Sequence, residues 1–455
     1  MPRLISQLRQ KWVITIIVSC FTLIPPVSST MVAPALATMA ADLGIIDAVV
    51  SQLTLTIFML AYAIGPLLLG PLSETIGRLP VLLGSNVFFL AWTLGCGLAR
   101  NKAELIAFRF LAGIGGSAPL AMGGGVISDL WAPEERGQAV GIYSLAPPLG
   151  PVIGPLAGGW ITERTTWRWM FYSTSMAAGA AGVVGFVFLR ETYTPALLKQ
   201  RQRHESREAT TDSNAGEFLV TRLRLASLRP LQLFITEPIV TVVGIYMAVV
   251  FGVLYILLST YPKVWTQEYG ESPGIGGLNY ISLSLSYVLG SQINAYSSDV
   301  IYRRLQARRN TNDLQVNSKG EPEFRVPPMF VGSVLIPIGM FWYGWSVQAH
   351  THWIMPNIGS FIFSLGSITC MQSMQAYVID SYGKYAASGL AVAVLLRNMA
   401  AFGIPLFAPY MYDSLHYGWG NSVLGFVSVV IGIPSPLLFW IYGKKIRGRS
   451  KFAVQ

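Results

Sequence analysis

The stretch AELIAFRFLAGIGGSAPLAMGGG, Ala103 to Gly125, is apolar almost throughout, yet Arg109 stands inside it. A charged side chain at the centre of a membrane-spanning helix costs about 2.5–3.5 kcal/mol on insertion scales. A guanidinium keeps its proton at any physiological pH, so Arg109 alone cannot carry one. It can instead lower the pKa of a carboxylate that approaches it in one state only. By depth the candidates are Asp42 and Glu163. Arg109 lies about 9 Å into its helix at 1.5 Å per residue, so it could reach outward to either group. Snorkelling to the interface, with no further role, is the competing reading.

The other carboxylates fall near predicted helix ends: Asp47, Glu104 and Asp413 on one side of the membrane, Glu74, Asp129, Glu237, Asp299 and Asp380 on the other. His204, His350, His352 and His416 sit in loops or at ends, which leaves Arg109 and Arg397 as the deep formal charges. Glu74 and Arg78 are four residues apart around Gly77 in GPLSETIGRLPVL, and SSDVIYRR echoes the spacing with Asp299 and Arg303. Matching positions in two halves suggest an internal duplication. In GPVIGPLAGG, Gly150, Gly154 and Gly158 recur every four residues and form a smooth ridge that lets another helix approach closely. Pro151 and Pro155 each remove a backbone donor and should bend that helix. Cys20, Cys96 and Cys370 are far apart and match neither a metal nor a disulfide pattern. No metal, cofactor or nucleophile–base pair is expected, and the chain does not read as an enzyme.

These residues require a membrane scaffold. Of 455 residues 52% are hydrophobic and 12% charged, against about 25% charged in ordinary soluble domains. Mean hydropathy is +0.49. The net charge of +10 is spread between apolar blocks rather than gathered on one face, which argues against nucleic acid as a partner. Stretches long enough to span a bilayer are predicted near 12–35, 48–70, 79–99, 103–128, 137–161 and 168–189. A second set follows near 238–262, 275–298, 328–348, 353–379, 385–410 and 421–442. The expectation is an all-α integral membrane protein of twelve transmembrane helices in two six-helix bundles. Residues 1–189 form the first, 190–237 a cytoplasmic linker, and 238–455 the second with a cytoplasmic tail. A further polar loop is read at 301–327. With the amino terminus inside, outer loops receive only Arg100, Lys102, Arg164, Arg168 and Lys263, so both termini are placed in the cytoplasm.

The layout and these segments resemble the major facilitator superfamily, most closely its fungal twelve-span drug:proton antiporter branch. LIAFRFLAGIGGSAP is similar to the fourth-span motif of that superfamily, with Arg109 on the motif's arginine. GPLSETIGRLPVL is similar to the loop between spans two and three, with Glu74 where Asp is usual, and GPVIGPLAGG to the fifth-span antiporter motif. DLWAPEERG, WRWMF, RETY, FITEP and YGKYAAS add to the resemblance, which covers essentially the whole chain. One departure is the short polar stretch before the first span.

The resemblance implies alternating access by two rocking bundles, with spans one, four, seven and ten lining a central cavity. It implies an inner charge network of Glu74, Arg78 and Asp129 that closes a cytoplasmic gate with Gly77. It also implies that Gly150, Pro151, Gly154, Pro155, Gly158 and Gly159 pack the fifth span at the bundle interface, and that Arg109 takes part in proton coupling. The cavity spans would then offer Tyr246, Tyr255, Gln372, Gln375 and Tyr377, with Arg397 as a further lining candidate. Such a lining suits a neutral or weakly acidic amphipathic molecule over a polyamine, although helix–helix hydrogen bonding would account for the same residues. The expected function is export of a drug, toxin or secondary metabolite in exchange for protons, across the plasma membrane, with the lipid bilayer as surroundings and no cofactor. An uncoupled facilitator or uptake carrier, or a non-transporting receptor, is the alternative.

Overall fold

The computed structural model describes residues 8–131, 136–193, 232, 234–312, 321–382, 386–448 and 450. Most of the expected linker, the centres of DLWAPEERG and YGKYAAS, and part of the basic tail lie outside the described residues. Every regular element among the described residues is a helix, as an apolar solvent demands: each backbone donor must find its acceptor within its own segment.

The chain divides into two units, Met1–Arg229 and Pro230–Gln455. The first holds α1 (Leu8–Met31), α2 (Ala48–Ile76), α3 (Arg78–Leu98), α4 (Lys102–Leu130), α5 (Arg136–Arg164) and α6 (Arg168–Phe188). The second holds α7 (Pro238–Lys263), α8 (Tyr280–Asn312), α9 (Pro327–Gln348), α10 (Ile354–Tyr382), α11 (Ala386–Gly403), α12 (Ala408–Val427) and α13 (Pro434–Arg447).

Ten stretches among the described residues are long and apolar enough to cross a bilayer. The last, Ser388–Arg447, is 60 residues long and turns back at His416, whose φ of 55° interrupts α12. It therefore supplies two crossings. The more polar α8 supplies one more, and the total is twelve. The expected start of the last span at 421 moves back to this turn. The expected polar loop 301–327 is also corrected: α8 continues to Asn312, and a short 3-10 turn, Pro322–Arg325, precedes α9. Arg303, Leu305, Gln306 and Arg308 are good helix formers, so the helix runs on past the apolar stretch.

Local signals set several boundaries. Asp47 Oδ1 accepts from the Val49 amide at 2.8 Å and caps α2. Asn101 Oδ1 accepts from Glu104 N at 2.9 Å, while Glu104 Oε2 accepts from Arg100 N at 2.9 Å; together they fix the tight α3–α4 turn. The two halves use the same packing order. In the first, α1 packs on α5, α2 and α3 on α4, and α3 on α6; in the second, α7 packs on α11, α8 and α9 on α10, and α9 on α12. This repeat in space extends the faint echo seen in the sequence.

Candidate functional site

Arg109 does not snorkel. It is 1% exposed, enclosed where α1, α2, α4 and α6 of the first half meet. Its Nη2 donates to the main-chain oxygens of Ser29 on α1 and Leu55 on α2, both at 3.4 Å. The guanidinium also lies 5.3 Å from the Phe58 ring centroid and 5.9 Å from that of Phe171. Carbonyl oxygens and aromatic faces are partial negative charges, so they replace some of the lost hydration; a desolvated cation–π contact contributes about 2 kcal/mol. Around the arginine packs an apolar cluster that includes Met31, Leu55, Cys96, Leu105 and Trp167.

Asp42, one of the two candidate partners, binds other groups in this conformation. Asp42 accepts from Trp167 Nε1 at 3.0 Å and from Arg168 Nη2 at 3.3 Å. Arg168 also donates to Gly97 O and Ala99 O, at 3.1 and 2.7 Å, and so ties the chain beyond α1 to α3 and α6. Glu163 is exposed near the end of α5.

The expected inner charge network forms in part. Arg78 Nε lies 2.9 Å from Asp129 Oδ2, Nη1 donates to Met122 O at 3.3 Å, and the guanidinium covers the Tyr193 ring at 5.6 Å. Glu74, expected in the same network, is exposed and outside it. The second carboxylate comes from Glu191, whose Oε1 and Oε2 accept from the backbone amides of Arg78 and Leu79, each at 3.1 Å. Glu191 thus caps the positive end of α3 from 113 residues away. Gly77 has φ +114°, and a Cβ there would stand 2.5 Å from Glu191 Oε2. The sequence marked Glu191 only through RETY, because no local spacing connects it to Arg78.

The glycine ridge of α5 faces α1, within its own half. A Cβ on Gly150 would come within 2.3 Å of Pro26, one on Gly154 within 2.2 Å of Thr30 Oγ1, and one on Gly158 within 2.2 Å of Met31 O. Thr30 Oγ1 donates to Gly150 O at 3.0 Å. Within its own half, this ridge therefore packs on the first span. Pro155 and Gly159 are buried and Pro151 is half-buried, and α5 runs unbroken through them.

In the second half, Tyr246 and Tyr255 on α7 are 2% and 7% exposed, and Tyr377 is fully buried against Phe439 at 5.3 Å. Gln372 donates to Ser291 Oγ at 2.6 Å and accepts from Asn294 Nδ2 at 3.2 Å, so it serves the α8–α10 contact. Gln375 and Arg397 are half-buried, with Arg397 over the Phe251 ring at 5.0 Å. Asp299 pairs with Arg325 at 2.7 Å rather than with Arg303, which is exposed. Arg325 also binds Asp380 at 2.9 Å and covers Tyr302 at 4.5 Å. This is the counterpart of the Arg78–Asp129 pair, built from a different position. No group of three metal-ligating side chains occurs among the described residues.

The sequence profile of the Major Facilitator Superfamily matches residues 18–403. The chain is 51% identical to the protein named efflux pump vrtL of Penicillium aethiopicum, over 97% of this chain and 87% of that one. It is 36% identical to efflux pump radE of Floropilus chiversii, over 98% of this chain and 82% of the relative. A partially occluded, inward-open structure of the xylose transporter XylE from E. coli superposes with a TM-score of 0.69 at 17% identity, covering 95% and 97% of the two chains, a likeness of fold. With twelve crossings, a repeated packing order and a family profile along most of its length, the chain belongs to the major facilitator superfamily of membrane transporters.

Proposed function

We propose that this protein exports a small, neutral or weakly acidic amphipathic molecule by alternating access, in exchange for protons. The direction of transport follows relatives named efflux pumps that match along nearly the whole chain. Coupling rests on one observation, the fully buried Arg109. A permanent cation in a site of carbonyls and rings lowers the pKa of any carboxylate that enters it. Asp42 and Glu163 are the groups proposed to do so in another conformation, Asp42 by exchanging Arg168 for Arg109. The Arg78–Asp129 pair, with Gly77 and Glu191, is assigned to the cytoplasmic gate, and the α5 ridge to a tight seal against α1. Gln375 and Arg397 are assigned to substrate contact. Both termini are placed in the cytoplasm and the protein in the plasma membrane, following the lysine and arginine bias.

A second reading, an uncoupled carrier, is favoured by the lack of mid-membrane carboxylates in the sequence. Proteoliposome flux of azole, terpenoid and spermidine probes, with and without an imposed pH gradient, separates the two. Antiport requires flux of an amphipathic probe that rises with the gradient. Flux indifferent to it supports the uncoupled carrier, and strong transport of spermidine alone would overturn the substrate class.

A further inference from the structure

A chain of buried polar side chains in the second half takes no part in the sites above. The Tyr261 hydroxyl on α7 donates to Asn357 Oδ1 on α10 at 3.0 Å. Asn357 Nδ2 donates to Asn279 Oδ1 at 2.7 Å, and Asn279 Nδ2 donates to Glu271 Oε2 at 2.6 Å. All three donors point the same way, towards the carboxylate. Tyr261, Asn357 and Asn279 are 0%, 6% and 8% exposed, so water does not compete for these bonds. The hydroxyls of Ser282 and Ser360 lie 3.1 and 3.2 Å from that of Tyr261 and offer it another partner.

Glu271 is placed by a short turn. Gly270 has φ +67°, and the Glu271 amide donates to Trp265 O at 2.9 Å. Neither lysine nor arginine among the described residues forms an ion pair with it. The ionisable groups that feel its charge are Tyr269 on its own turn and Tyr261 on α7; Tyr280 and Tyr343 pack on Tyr261, and Glu268, near Tyr269, faces His350 at 3.7 Å. Lys263 is exposed at the end of α7. Burial raises the Glu271 carboxyl above the ordinary range, against the opposing effect of the Asn279 hydrogen bond.

A carboxylate only accepts hydrogen bonds, whereas a carboxylic acid also donates one, and an amide reverses its donor and acceptor by turning over. We propose that Glu271 is a proton-binding site that sets the direction of this relay. Ionised, it holds all three donors pointing towards it. Protonated from the aqueous side, it donates to Asn279 Oδ1, both amides turn over, and Tyr261 accepts from Asn357 while its own O–H turns to Ser282 or Ser360. The proton state of a surface carboxylate is thereby read at a tyrosine between α7 and α10. The assignment of this end to the outside rests on the lysine and arginine bias, and only the entry of protons there rests on the antiport reading.

Acidic-minus-neutral infrared difference spectra of the purified full-length protein test it. The wild type should show a carboxyl band with a midpoint above the ordinary glutamate value of about 4.3, together with a tyrosine band. E271Q should lose both. N279A should keep the carboxyl band and lose the tyrosine response, and Y261F should do the same if it folds where N279A does not. A carboxyl midpoint in the ordinary range, or a tyrosine response that survives in E271Q, overturns the proposal. These spectra need no substrate, so their outcome is independent of whether flux follows a proton gradient.

Discussion

At the scale of single residues, the buried arginine is tolerated because its charge is spread over several weak acceptors. Ser29 and Leu55 supply carbonyl oxygens, and Phe58 and Phe171 supply ring faces. A lysine carries the same charge as a point, without the planar fork that bonds and stacks together. R109A should abolish gradient-driven flux and lower thermal stability by about 1–3 kcal/mol, as the lost packing and hydrogen bonds imply. R109K should retain most of the stability and little of the coupling. Full gradient-driven flux in both variants would leave Arg109 a structural residue. Gly77 poses a simpler case, because its φ of +114° and the nearby Glu191 carboxylate both exclude a side chain. G77A should cost about 1–3 kcal/mol by straining the turn and displacing the cap of α3, read as a drop in melting temperature. E191Q keeps the shape but removes the charge at the helix terminus and replaces one of the two accepting oxygens with a donor, and should cost about 1–3 kcal/mol.

At the scale of elements, the α1–α5 contact is a close approach of two backbones, made possible where α5 has no side chain. Adding even a methyl group at Gly154 or Gly158 forces Thr30 or the Met31 carbonyl away. G154A and G158A should each destabilise by about 1–3 kcal/mol, the usual cost of overpacking. Gly124 and Gly141 have open space within 4 Å of an added Cβ, so G124A and G141A should be neutral or slightly stabilising. Equal melting temperatures across all four variants would refute the close-packed ridge. This ridge was legible in the sequence because a helix repeats its face every three to four residues, and so was the Arg78 loop. Its partner was not legible: period alone says that something packs there, and only the fold supplies α1. The same limit explains Glu191 and Arg325, whose carboxylate and amide partners are distant in the chain. The crossings followed from hydropathy. The extension of α8 to Asn312 did not, since helix propensity in a polar segment leaves no apolar stripe to read.

At the scale of the whole molecule, each half ends in a cluster of arginines and carboxylates built on the same packing order with different residues. In the first half Arg78, Asp129 and Glu191 hold α3 to α4 and to the chain beyond α6. In the second, Arg325 joins Asp299 and Asp380, and Glu321 bridges Arg309 of α8 and Lys444 of α13 at 2.7 and 3.0 Å. Burial opposes ionisation of Glu321, but hydrogen bonds and charges from Lys444 and Arg309 outweigh it and hold the carboxyl below its usual range. A carboxyl depressed on folding contributes stability that is fully present above its unfolded value of about 4.3. That stability is lost as pH falls through the lower, folded value. Thermal melting of the purified protein should therefore weaken on acidification through this window. E321Q should show a smaller loss across the same range, starting from a lower stability at neutral pH. Removing both cations, in R309Q with K444Q, should abolish or reverse this contribution, because burial alone then raises the folded carboxyl and acidification no longer costs stability at this site. An acid profile unchanged in both variants would mean that this bridge is too well solvated to matter, and that Arg325 and the Arg447–Glu323 pair hold the second half at this end.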